Sequence, residues 1–148
     1  APTDVSTPAL TPTHQVQDGR PIDLNALGRH VLLELNGCEQ RMLTDAETLK
    51  QALVNAAQAA GAHVVETVFH QFSPHGLSGV VVIAESHITV HTWPEHGYAA
   101  VDVFTCGAPE MADQICQILR TQFKAQSTST QALNRGMNLS PKMQQIAE

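Results

Sequence analysis

With 148 residues and 43% apolar side chains, the chain is sized for one domain with a substantial core. A formal net charge of −6, with eight basic residues scattered singly, argues against a nucleic-acid surface, which needs clustered Lys and Arg to displace counterions. No apolar run approaches the roughly 18 residues that span a bilayer, and the N-terminal stretch has neither the basic start nor the apolar centre of a secretory signal.

Residues 1–26 are rich in Thr and Pro and poor in large apolar side chains, so they read as a disordered tail that buries too little to offset its ordering entropy. Arg29 to Leu35 reads as a buried strand closed by Asn36-Gly37. Thr44 to Glu47 has the spacing of a capping box, and Leu49, Ala52, Leu53, Ala56, Ala57 and Ala60 follow at helical period, with Gly61 where a C-terminal cap belongs. His63 to Phe72 has strand composition, and Ser73 to Gly76 reads as a turn. Tyr98 to Cys106 predicts a further strand. Pro109 to about Lys124 predicts a second helix, with Pro109 at its first position and Met111, Ile115, Ile118, Leu119 and Phe123 on one face. The polar residues 127–148 read as a C-terminal tail, with a short helix in its last nine residues. That leaves residues 27–126 as the domain. Cys38, Cys106 and Cys116 form no CxxC and no closed disulfide set, which suits a reducing, cytoplasmic setting.

The informative anomaly is Leu77 to Thr92, sixteen residues of almost unbroken strand character. At about 3.3 Å per residue it would run roughly 50 Å, too long for so small a domain, so it must bend or break. Its polar interruption is Glu85-Ser86-His87, a small nucleophile between an acid and an imidazole. If Trp93 to Gly97 connects the next hairpin, Thr92 faces Tyr98, Phe104 lies opposite Ser86, and Cys106 lies opposite Ala84. The register thus gathers Ser86 and Cys106.

Six of the eight histidines fall between His63 and His96, which invites a metal reading. His87 and His91 are four apart, but on a strand that spacing leaves them about 13 Å from each other, so no metal site is expected. A serine-hydrolase triad lacks the Gly-x-Ser-x-Gly elbow. Taken singly, His63, His70, His75 and His96 read as half-buried or surface side chains, Trp93 as core, Ser78 and Ser86 as strand serines, and Cys106 as a small core hydrophobe.

Taken together, Ser78 to Gly107 (SGVVVIAESHITVHTWPEHGYAAVDVFTCG) resembles the processing and active-site segment of the small prokaryotic S-adenosylmethionine decarboxylases. The resemblance extends to Gly28-Arg29-His30 and covers roughly residues 27–125. His96 stands where the family usually has Tyr, and the N-terminal stretch exceeds that of a minimal member; neither touches a reacting position. The resemblance implies an α+β fold, an antiparallel β-sheet with helices on one face, assembled as a homodimer with active sites near the interface. It implies autocatalytic cleavage between Glu85 and Ser86, in which Ser86 attacks the Glu85 carbonyl and becomes a covalent pyruvoyl group. His91 matches the processing histidine, and Ser78 a serine that assists processing by hydrogen bonding at the oxyanion. Cys106 matches the acid that protonates the substrate carbon, a task for which a thiol is a competent donor. Phe72 and Glu95 match contacts to the adenine and the ribose of S-adenosylmethionine.

Two rivals stand beside this reading. One keeps the pyruvoyl chemistry with arginine or ornithine as substrate, against which the aromatic and carboxylate pair Phe72 and Glu95 favours a nucleoside. The other is a non-catalytic regulatory paralogue, against which stand the intact Glu85-Ser86, His91 and Cys106.

Overall fold

The computed structural model describes residues 21–140. Six strands form one antiparallel sheet: β1 (Ala26–Asn36), β2 (Val64–Gln71), β3 (Leu77–Ile83), β4 (Ser86–Trp93), β5 (Tyr98–Thr105) and β6 (Ser127–Met137), in the order β2-β3-β4-β5-β1-β6. Period-two alternation gives the sheet one apolar face. Val31, Leu33, Leu35, Val81, Ile88, Val90, Val101 and Val103 are buried there. Against them pack α2 (Ala46–Ala59) through Leu49 and Leu53, and α3 (Met111–Phe123) through Ile115, Leu119 and Phe123. A one-turn helix, α1 (Gln40–Thr44), precedes α2. The expected α+β architecture with helices on one face is what the chain adopts.

Among the described residues the opposite face carries no helix, and its side chains form cross-strand rows. Ser78, His91, Ala100 and Glu34 make one, Val80, Thr89, Asp102 and Leu32 the next, and Val82, His87, Phe104 and His30 the third. Ser78, His91, Asp102, His87 and His30 therefore lie on one open surface, while Ser86, level with the buried Ile83 and Thr105, sits at the end of β4.

Four local expectations are corrected. The Thr44 capping box does not form, because Thr44 ends α1 and its hydroxyl donates back to the Gln40 carbonyl at 3.0 Å. Asp45 caps α2 instead, its carboxylate accepting from the Thr48 amide at 3.0 Å and holding its own pKa below the usual range through the Thr48 hydrogen bonds. Pro109 is not the first helical residue, since α3 begins at Met111 with Glu110 at its cap position and ends on Lys124 in the left-handed conformation. Ser127 to Met137 is not a tail but β6, paired with β1 from Asn36–Ser127 to Ala26–Met137. An edge strand needs little apolar content: main-chain hydrogen bonds hold β6, and of its residues only Thr130 and Ala132 are buried. Of the N-terminal segment, residues 21–25 lead into β1, with the Asn134 side-chain amide donating to the Pro21 carbonyl at 3.0 Å. Residues 1–20 and the expected C-terminal helix lie outside the described residues.

Asp45→Ala is expected to lower stability clearly more than Thr44→Ala, since only the first removes a helix cap. Urea unfolding of both variants checks this, and the reverse order would restore the capping box.

Candidate active site

The long run Leu77–Thr92 breaks where the sequence demands. Ala84 and Glu85 form a two-residue reversal between β3 and β4, with Ile83 paired to Ser86. The Ala84 amide donates to the His63 carbonyl at 2.8 Å, which ties the reversal to the start of β2. Immediately after it, Ser86 has φ of 151°, a backbone setting that L side chains avoid. Such residues cost about 1–3 kcal/mol and persist where the surroundings over-determine them.

The surroundings here are the end of β5. Ser86 pairs with Thr105. The next residue, Cys106, donates its amide to the Glu85 carbonyl oxygen at 2.9 Å and its thiol to the same oxygen at 3.0 Å. The β4–β5 register is thus one residue from the expected one: Cys106 lies beside Glu85, and His87 instead of Ser86 faces Phe104. A Cβ at 107 would sit 2.9 Å from Glu85 Cγ, so any other residue there would push the Glu85 side chain aside. The Glu85 carboxylate accepts from the His63 amide at 3.1 Å and pairs with His63 Nδ1 at 2.9 Å, and these bonds hold its pKa below the usual carboxylate range. The peptide bond between Glu85 and Ser86 is therefore held on its acyl side, with two donors on the carbonyl oxygen. Donors so placed stabilise negative charge if that carbon is attacked.

Cys106 is the exposed thiol. Cys38 and Cys116 are buried, and desolvation pushes them up to about 11 and about 12, which makes them inert core residues.

The remaining expected residues sit elsewhere. Ser78 Oγ and His91 Nδ1 are 2.7 Å apart across β3 and β4. They line an open cleft of about 350 Å³ with Phe72, Trp93, Glu95 and His75. His75 Nδ1 faces Glu95 Oε1 at 3.5 Å. Trp93 is not core but 41% exposed, its ring stacked on Tyr98 at 5.3 Å. Ser86 and His91 lie at opposite ends of an uninterrupted β4. Five residues at about 3.3 Å each put them about 16 Å apart. The reversal precedes Ser86, so it does not fold His91 back onto it within one chain.

Between the two groups lies a polar cluster the sequence reading missed. Asp102 Oδ1 faces His30 Nε2 at 3.3 Å and His87 Nε2 at 3.2 Å, and Oδ2 accepts from the Thr89 hydroxyl at 2.7 Å. Arg135 donates to His30 Nδ1 at 2.9 Å. The three side chains could converge on a cation. Their hydrogen bonds already assign the ring protons, however: a guanidinium only donates, so His30 Nδ1 bears the lone pair and Nε2 carries the proton toward Asp102.

The S-adenosylmethionine decarboxylase family model matches residues 29–136. An S-adenosylmethionine decarboxylase proenzyme from Caldicellulosiruptor saccharolyticus is 50% identical over 114 residues, which span 77% of this chain and 92% of that one. The proenzyme of the same name from Pelotomaculum thermopropionicum is 53% identical over 111 residues, 75% of this chain and 88% of that one. The crystal structure of the adenosylmethionine decarboxylase from Aquifex aeolicus superimposes with a TM-score of 0.73 at 37% identity, over 80% of this chain and 99% of that one. A matching fold, near-full coverage of the relatives and a strained Glu85–Ser86 junction agree, and this chain belongs to the S-adenosylmethionine decarboxylase family.

Proposed function

We propose that the chain cuts itself between Glu85 and Ser86 and then decarboxylates S-adenosylmethionine, giving the decarboxylated aminopropyl donor used for spermidine. One observation carries this reading: the Glu85 carbonyl oxygen is held by both donors of Cys106 beside a strained Ser86. Nothing in the site favours arginine, ornithine or a non-catalytic role, and the cleft with Phe72 and Glu95 suits a nucleoside better than a free basic amino acid.

In this mechanism Ser86 Oγ attacks the Glu85 carbonyl carbon, and the amide becomes an ester. The Cys106 amide and thiol hold the developing oxyanion. His91, its Nδ1 oriented by Ser78, removes the Ser86 α-hydrogen, and β-elimination expels the Glu85 carboxylate. The dehydroalanine at residue 86 tautomerises and takes up water, losing ammonia. Residues upstream of the cut and those from 86 onward remain in one fold. The strained backbone at Ser86 and the doubly held Glu85 carbonyl favour formation of a pyruvoyl group at residue 86. Once formed, the group supplies an electron sink for the carbanion left as carbon dioxide departs. Cys106 delivers the proton to that carbon, Phe72 stacks on the adenine, and Glu95 accepts from the ribose hydroxyls.

His91 works on Ser86 only if a second copy supplies it. The uncovered sheet face exposes Leu32, Val80, Val82 and Trp93, apolar surface suited to a partner. A two-fold axis lying between two such faces and crossing β4 near its middle would exchange the ends of β4, and so set Ser78 and His91 of one copy against Ser86 and Cys106 of the other. We therefore assign a homodimer with two composite sites. Three unpaired thiols suit a reducing cytoplasm, and among the described residues no helix is long and apolar enough to cross a membrane.

The composite site has a direct check. Ser86→Ala alone stays uncut, and His91→Ala alone stops at the ester. Refolded together, the His91→Ala chain should be cleaved by the imidazole of its partner, read as new fragments on a gel. If the mixture stays uncut while each parent behaves as stated, both groups act within one chain.

Cys106→Ala separates maturation from turnover. Its backbone amide still holds the Glu85 oxygen, so the chain should mature slowly. Carbon dioxide release from S-adenosylmethionine per cleaved chain should fall by about 10²–10⁴, the usual worth of a positioned acid. Undiminished release would remove the thiol from the reaction.

A further inference from the structure

Reading the chain as self-cleaving leaves one step without an assigned base. Ser86 must lose its hydroxyl proton as it attacks; Cys106 is given the oxyanion and the partner's His91 the α-hydrogen, so neither is assigned that proton. Resting on that reading, we infer that His87 is the general base of the acyl shift, held in the required tautomer by Asp102.

The geometry assigns the protons. His87 Nε2 lies 3.2 Å from Asp102 Oδ1. A carboxylate only accepts, so Nε2 carries the hydrogen, and the lone pair of the neutral ring is at Nδ1. His87 Nδ1 in turn lies 3.4 Å from Ser86 Oγ. Serine hydroxyl, imidazole and carboxylate thus stand in the order that activates a serine for acyl transfer, whatever fold carries it. On a regular strand, neighbouring side chains point to opposite faces, and such a contact would not form. The φ of 151° at Ser86 is the departure that turns its hydroxyl toward the next residue's ring.

The rest of the cluster fixes Asp102. Thr89 donates to its second oxygen at 2.7 Å, and His30, with Nε2–H set by Arg135, faces its first. Phe104 closes the side, its ring centroid 5.0 Å from that of His30 and 5.8 Å from that of His87. Asp102 is a positioning residue, since it touches no reacting atom.

The step balances within the chain. The Ser86 Oγ proton passes to His87 Nδ1 as the Oγ–C bond to Glu85 forms, and the carbonyl electron pair moves onto the oxygen held by Cys106. On collapse the C–N bond breaks, and the His87 imidazolium returns the proton to the Ser86 nitrogen. Amide becomes ester with no co-reactant. His87 then serves the first step and His91 the second.

The test isolates the first step. In a His91→Ala background the ester accumulates, and hydroxylamine splits it between residues 85 and 86, so the rate of fragment release after refolding reports ester formation alone. Adding His87→Gln, which keeps a donor for Asp102 but has no base at the Nδ1 position, should slow ester formation by about 10²–10⁴. Adding His87→Ala should do the same, with free imidazole restoring part of the rate, a rescue that a purely structural role would not give. Asp102→Asn, which donates to His87 Nε2 and favours the wrong tautomer, should slow the step too, and Asp102→Glu should recover it. Circular dichroism on each variant checks folding, and His87→Gln decides if the alanine variant is unstable. Ester formation in His87→Gln at the rate of the His91→Ala parent would overturn the assignment. Failure of the self-cleavage reading looks different: with every histidine intact, the chain stays whole and gains no hydroxylamine-sensitive bond, and then both fall together.

Discussion

Two hydrogen bonds to one carbonyl oxygen organise this molecule. The Glu85 carbonyl is held by the amide and the thiol of Cys106, a residue 21 positions further along the chain. That contact exists because β4 and β5 pair in a register that brings Ser86 level with Thr105. The same register and the tight reversal at Ala84–Glu85 leave Ser86 in a conformation it would not adopt alone. Helices α2 and α3 hold the sheet from behind through Leu53, Ile115, Leu119 and Phe123, all buried. The core thus makes the strain at Ser86 bearable by fixing the strands on either side of it.

Placing the helices on one face leaves the other for chemistry. The cross-strand rows of β3, β4, β5 and β1 carry Ser78 with His91, then Thr89 with Asp102, then His87 with His30. Polar groups half-sheltered on a sheet need partners, and here each acceptor has a donor: Asp102 takes three, and Arg135 satisfies the imidazole that feeds it. Such a network holds a tautomer with no rearrangement at the moment of reaction. The apolar residues among these rows suit the face to a second copy, which joins the two halves of the site.

Local patterns were legible in the sequence, and non-local ones were not. A sixteen-residue strand run in a small domain must break, and its polar interruption marked the place. The hairpin argument put Cys106 within one residue of its true neighbour; the miss arose because Trp93 itself pairs with Tyr98, so the connection is one residue shorter than assumed. The resemblance to a known family supplied what spacing could not, the processing roles of Ser78 and His91, while their pairing across β3 and β4 emerges only in the fold. What stayed hidden depends on β1 lying between β5 and β6. Only that placement brings His30 and Arg135 to Asp102, and only main-chain pairing makes a strand of the polar stretch Ser127–Met137. The Thr44 cap misled because Thr44 and Asp45 are both good caps, and the short helix ahead of them decides between the two.

The central claim is that Ser86 becomes the reactive group of the enzyme at the cost of the peptide bond before it. Intact-mass measurement of the purified protein tests this most directly. The account predicts two chains divided between Glu85 and Ser86, the second beginning with a pyruvoyl group in place of serine, and one uncut chain from Ser86→Ala. A single uncut chain from the unaltered protein, active on S-adenosylmethionine, would contradict it.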